Sequence, residues 1–408
     1  MQSASTKSVA VIGAGPAGLM AAEQLARAGI AVTIYDRMPS PGRKLLMAGR
    51  GGLNLTHSEP LAAFLTRYGD APSPVLDAIR RFPPEALIGW AHGLGQDTFV
   101  GSSGRVFPKA LKASPLLRAW LARLAAAGVV MRTRHRWIGW DPTGALAFVD
   151  ETGREVTLRP DAVVLALGGA SWPRLGSDGS WVELLSVAGN TVTPLAASNA
   201  GVVIHWSPHI VPRHEGAPLK RIAVACGPAR ARGEAVITRT GLEGGAIYAV
   251  GHEIRRALAA GGSVRIFIDL RPDIAEDALA RRLDVRRGKA TATSFLRKRA
   301  GLSPAQIAIV REGCADGLPD AADGLARAIK HAALDVRATC GLERAISTAG
   351  GIALEAIDDR FMLRARPGVF VAGEMLDWDA PTGGYLLQAT FATAVAAADG
   401  VIAWLAQR

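Results

Sequence analysis

Three glycines and one acid, spaced along Val9–Asp36, carry the first chemistry this chain can do. In VAVIGAGPAGLMAAEQLARAGIAVTIYD, Gly13, Gly15 and Gly18 follow the GxGxxG spacing and Asp36 closes the stretch. Gly13 permits a tight turn, Gly15 lets the backbone approach a pyrophosphate, and Gly18 lets a helix pack close to a strand. Unpaired N–H groups at a helix N-terminus favour the phosphates. Asp36 can accept hydrogen bonds from both ribose hydroxyls, which suits an adenosine without a 2′-phosphate. The elements that must position these groups are legible around them. Val9–Ile12 is an apolar run suited to a buried parallel strand, an Ala-rich helix runs to Arg27 and ends at Gly29, and Ala31–Tyr35 forms a second strand. The pattern predicts a βαβ unit holding a dinucleotide.

A second constellation lies near the C-terminus. The run Val369–Ala372 reads as a strand ending in Gly373–Glu374, and Thr382–Gly383–Gly384 opens a helix-prone stretch, Tyr385–Ala398. Amide donors at such a glycine turn suit a second phosphate or the carbonyls of a flavin, and Glu374 is placed to accept from a sugar-alcohol hydroxyl. A single NAD-binding domain has no need of this element. FAD does, because its ribityl chain and isoalloxazine extend well beyond the first turn. Between the two constellations, Pro41–His57 is a long glycine-rich loop in which Arg43 and Lys44 suit a phosphate or an anionic reduced flavin. His57 and Tyr385, each beside a glycine motif, are the candidate proton donors; equally, His57 reads as a loop cap and Tyr385 as a packing residue. His205, His209 and His214 are near one another in sequence but lack a Cys or paired carboxylate at ligand spacing, so no metal is expected.

Composition bounds the rest. The chain has 408 residues, 49% of them hydrophobic and 20% charged, enough for two or three domains with ordinary cores. Its start, MQSASTKS, lacks the apolar core of a signal peptide, no run of some 18 apolar residues suggests a membrane span, and Cys226, Cys314 and Cys340 form no CxxC pair. A reducing cytoplasm is the expected location. The net charge of +11 is concentrated: Arg281, Arg282, Arg286, Arg287, Lys289, Arg297, Lys298 and Arg299 face the single acid Asp284. This segment suits a polyanionic partner such as RNA, although a solvated helical face and an arginine-rich genome would give a similar pattern.

Along the chain, helical patterns cover Ser73–Leu94 and Ser114–Gly128, Val129–Trp137 reads as a strand, Ala145–Val149 and Val156–Leu158 as a hairpin, and Ala162–Leu167 as a buried strand ending in Gly168–Gly169. From about Pro194 short β-like runs alternate with Gly and Pro, an Arg-rich helix-prone stretch follows over Ile274–His331, and the nucleotide-domain character returns near Ile346. The expectation is a Rossmann-like three-layer α/β domain formed by residues 1–193 and 345–408, interrupted by an inserted β and helical domain at 194–344.

GAGPAGLMAA, GRKLLMAGRGGLNLTH, GRVFP (Gly104–Pro108), LALGGASWPRLGSDG (Leu165–Gly179), GEAVITRTGLEGGAIY (Gly233–Tyr248), TAGGI and GEMLDWDAPTGGYLLQ together resemble the BaiN-like (YhiN-like) NAD(P)/FAD-dependent flavoproteins, collinearly over nearly the whole chain. The resemblance implies an FAD domain split by a β-barrel and helical insertion, with NADH or NADPH as electron donor. It implies FAD contacts at Gly13, Gly15, Pro16, Ala17, Gly18, Asp36, Arg37, Arg43, Lys44, Gly168, Gly373, Glu374, Gly383, Gly384 and Leu386, and places Trp137 on the adenine-side strand. Where the family commonly has Gly-Gly-Gly-Arg-Cys-Asn this chain has Arg50-Gly51-Gly52-Leu53-Asn54, and Gly-Gly-Tyr-Asn is replaced by Gly383-Gly384-Tyr385-Leu386. Both departures fall near the flavin. The activity implied is reduction of a conjugated C=C bond in an enone or an RNA uracil. A flavin oxidase and an RNA-binding or assembly factor without turnover are the alternatives.

Overall fold

The computed structural model describes residues 7–69, 73–261, 263–314 and 316–408, with the backbone alone at Arg50. The first six residues, which bear on the reading of the N-terminus, lie outside it. The chain divides into two compact units, Met1–Ala196 with Ser347–Arg408, and Ala197–Ile346.

The first unit is built on a five-stranded parallel sheet. Strands β1 (Ser8–Ile12), β2 (Ala31–Tyr35), β3 (Val130–Arg132), β4 (Ala162–Leu165) and β5 (Val369–Val371) lie in the order β5-β4-β1-β2-β3. β1 is central, with Val11 opposite Val164 of β4 on one side and Ile34 of β2 on the other. Covered on both faces, β1 and β4 read as continuous apolar runs. Val9, Val11, Ile12, Val164 and Leu165 are all buried, each worth about 1.5–3 kcal/mol for its side chain. Helix α1 (Pro16–Arg27) starts on Gly15 with Pro16 in its first turn and stops where Gly29 takes φ +75°, the asymmetry expected of helix ends. Chain order reverses at β1, and the crevice at the carboxyl ends of the strands is where an open α/β sheet takes its ligand.

Two expected elements divide. The helix expected over Ser73–Leu94 is two, Ser73–Arg81 and Pro84–Gly93, because Pro83 and Pro84 cannot continue a helix and restrict the residues before them. The strand expected over Val129–Trp137 is β3 followed by Arg136–Trp140, in two different sheets. The chain turns at Arg134, which has φ +58°. Arg136–Trp140 pairs antiparallel with Leu146–Val149, and that with Glu155–Leu158. The last helix, α3 (Tyr385–Ala406), is longer than its glycine turn suggested. It is apolar and long enough to cross a membrane, yet two-thirds of its most apolar window is buried within the protein, against α1 and the helix Ser73–Arg81.

The second unit is a closed antiparallel barrel. Its strands run Val202–Ile204, Gly241–Glu243, Ala229–Ile237, Pro218–Cys226, Val264–Asp269 and Ala332–Thr339, the last pairing back to the first. Closure leaves no open edge, and Ile222, Val224, Ile266, Ile268, Leu334 and Val336 fill its core. The Arg-rich stretch becomes four helices, Glu276–Leu283, Ala292–Ala300, Pro304–Glu312 and Ala322–Lys330.

Candidate dinucleotide site

The glycines at the crevice are there for packing and for access. A Cβ on Gly13 (φ +107°) would stand 2.3 Å from the Ala166 carbonyl oxygen, and one on Gly18 would stand 1.8 Å from that of Gly13. Gly15 differs: nothing lies within 4 Å of the position its Cβ would take. Packing therefore does not demand glycine there, whereas close approach of a ligand to the helix N-terminus does. At the second turn, Gly373 (φ +80°) meets Ala17 of α1, and Gly384 (φ +98°) faces the backbone of Thr56. The N-termini of α1 and α3 and the glycine loop thus border one crevice.

Asp36 is held before any ligand arrives. Its carboxylate accepts from the Ala14 amide at 2.6 Å and the Met38 amide at 2.7 Å, with lone pairs left for sugar hydroxyls. Burial pushes this carboxyl above the usual range. The two amides, then Arg37 and Arg43, act against that rise. Arg37 pairs with Asp178 and donates to the Pro173 carbonyl. His135 N–H donates to the Asp36 carbonyl, so the strand carrying Trp137 begins beside the acid. Trp137 itself is buried, packs edge-on against Trp140, and has no partner for its indole N–H among the described residues.

Lys44 and Glu374 form the centre of a polar knot. Lys44 Nζ lies 2.6 Å from Glu374 Oε2 and 2.6 Å from Ser171 Oγ. Glu374 also accepts from the Thr348 amide at 3.0 Å, and Thr348 Oγ1 accepts from the amides of Ala170 and Ser171. Four segments are tied together: helix α2 (Arg43–Ala48), the loop after β4 that contains Gly168, the strand Ser347–Ile352 and the turn after β5. The knot also engages both oxygens of Glu374, which the sequence assigned to a sugar-alcohol hydroxyl. Ser171 and Thr348 escaped sequence reasoning, since a serine and a threonine in glycine-rich segments read as turn residues.

The two expected proton donors come together, and both are committed elsewhere. His57 stacks on Tyr385 with centroids 5.6 Å apart. Its Nε2 lies 3.0 Å from the Ser103 carbonyl and its Nδ1 accepts from the Glu59 amide, which uses both ring nitrogens of the neutral form. Tyr385 donates to Glu59 at 2.5 Å, and Glu59 is held from its other side by Arg67. Burial first, then the Glu59 hydrogen bond and charge, raises the Tyr385 phenol far above its usual range. Arg67 holds the Glu59 carboxyl below its own, against burial. The arrangement clamps the turn at Gly383–Gly384, with Tyr68 donating to the Tyr385 carbonyl and Leu386 in the first turn of α3.

FAD fits the residues present. Beside the glycine turns, Arg43 Nε, Asn54 Oδ1, Thr56 Oγ1 and Ser177 Oγ are buried and, among the described residues, find no hydrogen-bond partner. Buried polar atoms rarely stay unpaired, and an extended polar cofactor provides partners for several at once. The open space over Gly15 points the same way. Among the described residues no three His, Cys, Asp or Glu side chains gather as a metal site.

The basic residues belong to the second unit. Arg281, Arg282, Arg286, Arg287, Lys289, Arg297, Lys298 and Arg299 are all exposed, on Glu276–Leu283, Ala292–Ala300 and the loop between. Arg281 pairs with Asp277; among the described residues the other seven show no acidic partner.

Comparison with known proteins agrees with this geometry. The HI0933-like protein Rossmann domain family matches residues 7–400. The chain is 26% identical to the 3-dehydro-bile acid delta(4,6)-reductase of Clostridium scindens, over 94% of this chain and 96% of that protein. It is 25% identical to the ribosomal RNA dihydrouridine synthase of Escherichia coli, over 96% and 97% respectively. Among solved structures, 3-ketosteroid delta1-dehydrogenase from Sterolibacterium denitrificans shares the fold, with a TM-score of 0.55, 12% identity and coverage of 98% and 100%. The chain belongs to the HI0933-like family and is an FAD-dependent oxidoreductase.

Proposed function

We propose that this oxidoreductase is a reductase of conjugated C=C bonds, fed by NADH or NADPH, and that its substrate is a uracil-containing RNA. Bound FAD supplies hydride transfer at its flavin ring. The residues of the chain do the rest. The amides around Gly15 and Gly384 hold the phosphate and ring ends, Asp36 holds the ribose, and Arg37, Arg43 and Lys44 offset negative charge. Reduction adds a hydride to one carbon and a proton to its neighbour. His57 and Tyr385 have their protons engaged with Ser103 and Glu59, so in this reading water delivers the proton. The names of the two full-length relatives, one a reductase and the other a dihydrouridine synthase, both describe saturation of a conjugated double bond.

The observation that favours RNA over a small enone is where the charge sits. The segment 281–299 holds a net +7 of the chain's +11, leaving +4 on all other residues. Genome-wide arginine enrichment would spread this excess, and several other arginines of the unit do meet acids, as Arg230 meets Asp269, Arg232 Asp273 and Arg265 Asp335. Exposed, unpaired cations suit a phosphate backbone. The test is an anaerobic visible spectrum of the purified protein with NADH and then NADPH, followed by addition of uridine-rich RNA or cyclohex-2-enone. Bleaching by a nucleotide and recovery on RNA support the reading. Persistent bands point to an oxidase or another donor. Recovery on the enone alone removes RNA as substrate, and RNA binding without recovery indicates a binding factor.

A further inference from the structure

We infer that Trp172 is a substrate-orienting residue whose indole stacks on the planar conjugated ring being reduced; this rests on the reductase reading above. Trp172 has φ +61° and ψ +61°, a left-handed conformation disfavoured for residues with a Cβ. It also precedes Pro173, whose ring pushes the preceding residue toward extended backbone. Phe361, the other aromatic at positive φ among the described residues, has φ +65° and is fully buried, so core packing holds it. Trp172 is only half-buried and lies outside the hydrophobic core.

What holds Trp172 is the dinucleotide site. On one side Ser171, fully buried, is fixed through its amide to Thr348 Oγ1 and through its hydroxyl to Lys44. On the other, the Pro173 carbonyl accepts from Arg37, and Arg37 pairs with Asp178 farther along the same loop. Lys44 and Arg37 are the residues that bracket the crevice. Both neighbours of Trp172 are anchored to these residues while its own backbone is strained, and strain that the surroundings maintain clusters at functional sites. Among the described residues the indole N–H of Trp172 has no hydrogen bond and its ring no aromatic or cationic contact. A flat, half-exposed indole presented by rigid backbone is suited to stack on a flat ring, and both an enone and a uracil are flat.

The test uses the full-length, FAD-loaded protein as wild type, Trp172→Phe, Trp172→Ala and Trp172→Gly. Each is reduced photochemically, so the nucleotide donor does not enter, and its reoxidation by cyclohex-2-enone and by uridine-rich RNA is followed. The half-saturation for the reactive acceptor is expected to rise about tenfold in the Ala and Gly variants, with Phe staying within about threefold of wild type. FAD content should be unchanged. Glycine removes the strain, so Trp172→Gly should also melt about 1–3 °C higher. Unchanged half-saturation in Ala and Gly would overturn the inference, as would a Gly variant that melts lower, since the indole would then be a packing residue. A wild type reoxidised by neither acceptor overturns the reductase reading and the inference together, which separates that failure from one seen only in the variants.

Discussion

In the nucleotide unit, Lys44 reaches Glu374, Arg37 reaches Asp178, and Arg123 reaches the buried Glu23. On two helices of the inserted unit and the loop between them, Arg282, Arg286, Arg287, Lys289, Arg297, Lys298 and Arg299 meet no acid among the described residues. Each of these three pairings joins segments distant in sequence, so charge there ties one part of the unit to another. The uncovered charges of the second unit crowd 18 residues, 282–299, and among the described residues hold no acid in place. Buried or half-buried pairs act through geometry, while exposed cations act on whatever approaches and are screened by salt.

The largest expected difference between the units concerns glycine. Gly18→Ala puts a methyl group 1.8 Å from the Gly13 carbonyl oxygen, and the purified protein is expected to lose its FAD. In the second unit Gly245 has open space at its Cβ position and opens a helix. Gly245→Ala should keep the flavin and leave the urea midpoint almost unmoved. A flavin-loaded Gly18→Ala protein would break the comparison.

Next in size is Glu23, 2% exposed, which accepts from Arg27, Trp90, Trp120 and Arg123. Glu23→Gln should cost about 3 kcal/mol in urea denaturation, because buried donors lose a charged acceptor. Asp277→Asn, at the exposed pair with Arg281, should cost less than about 0.5 kcal/mol.

Charge removal at the two places should act on different ligands. Lys44→Met is expected to weaken FAD binding about tenfold, equivalent to about 1.4 kcal/mol, with no change in RNA affinity. Replacing Arg286, Arg287, Lys289 and Arg297 by Gln should leave FAD content and melting unchanged. It should lower the slope of log affinity for RNA against log salt by about 3–4. An unchanged slope would remove the RNA partner.

The smallest effects belong to the Glu59 clamp. Tyr385→Phe should alter turnover less than about threefold, since the phenol's proton is held by Glu59; a loss of about 100-fold or more would restore Tyr385 as an acid. The Glu59 carboxyl is depressed, so its contribution to stability is present above its unfolded pKa of about 4.3 and is lost as pH falls through the lower folded value. Glu59→Gln should flatten that acid limb, measured as melting temperature between about pH 5 and 3.

By itself the amino-acid sequence determined the βαβ unit, the two glycine turns and the acid at Asp36, because these depend on local spacing and on residues whose backbone freedom is read directly from their type. The concentration of cations at 281–299 was equally visible. Tertiary structure decided what local patterns do not encode. It brought Lys44 to Ser171 and Glu374 from across the chain, and set His57 face to face with Tyr385 while turning the protons of both into other bonds. It placed Trp172 in a conformation that its own residue type and the following proline both disfavour. Such arrangements depend on contacts between distant segments, which form only when burial of the β1 and β4 cores draws those segments together.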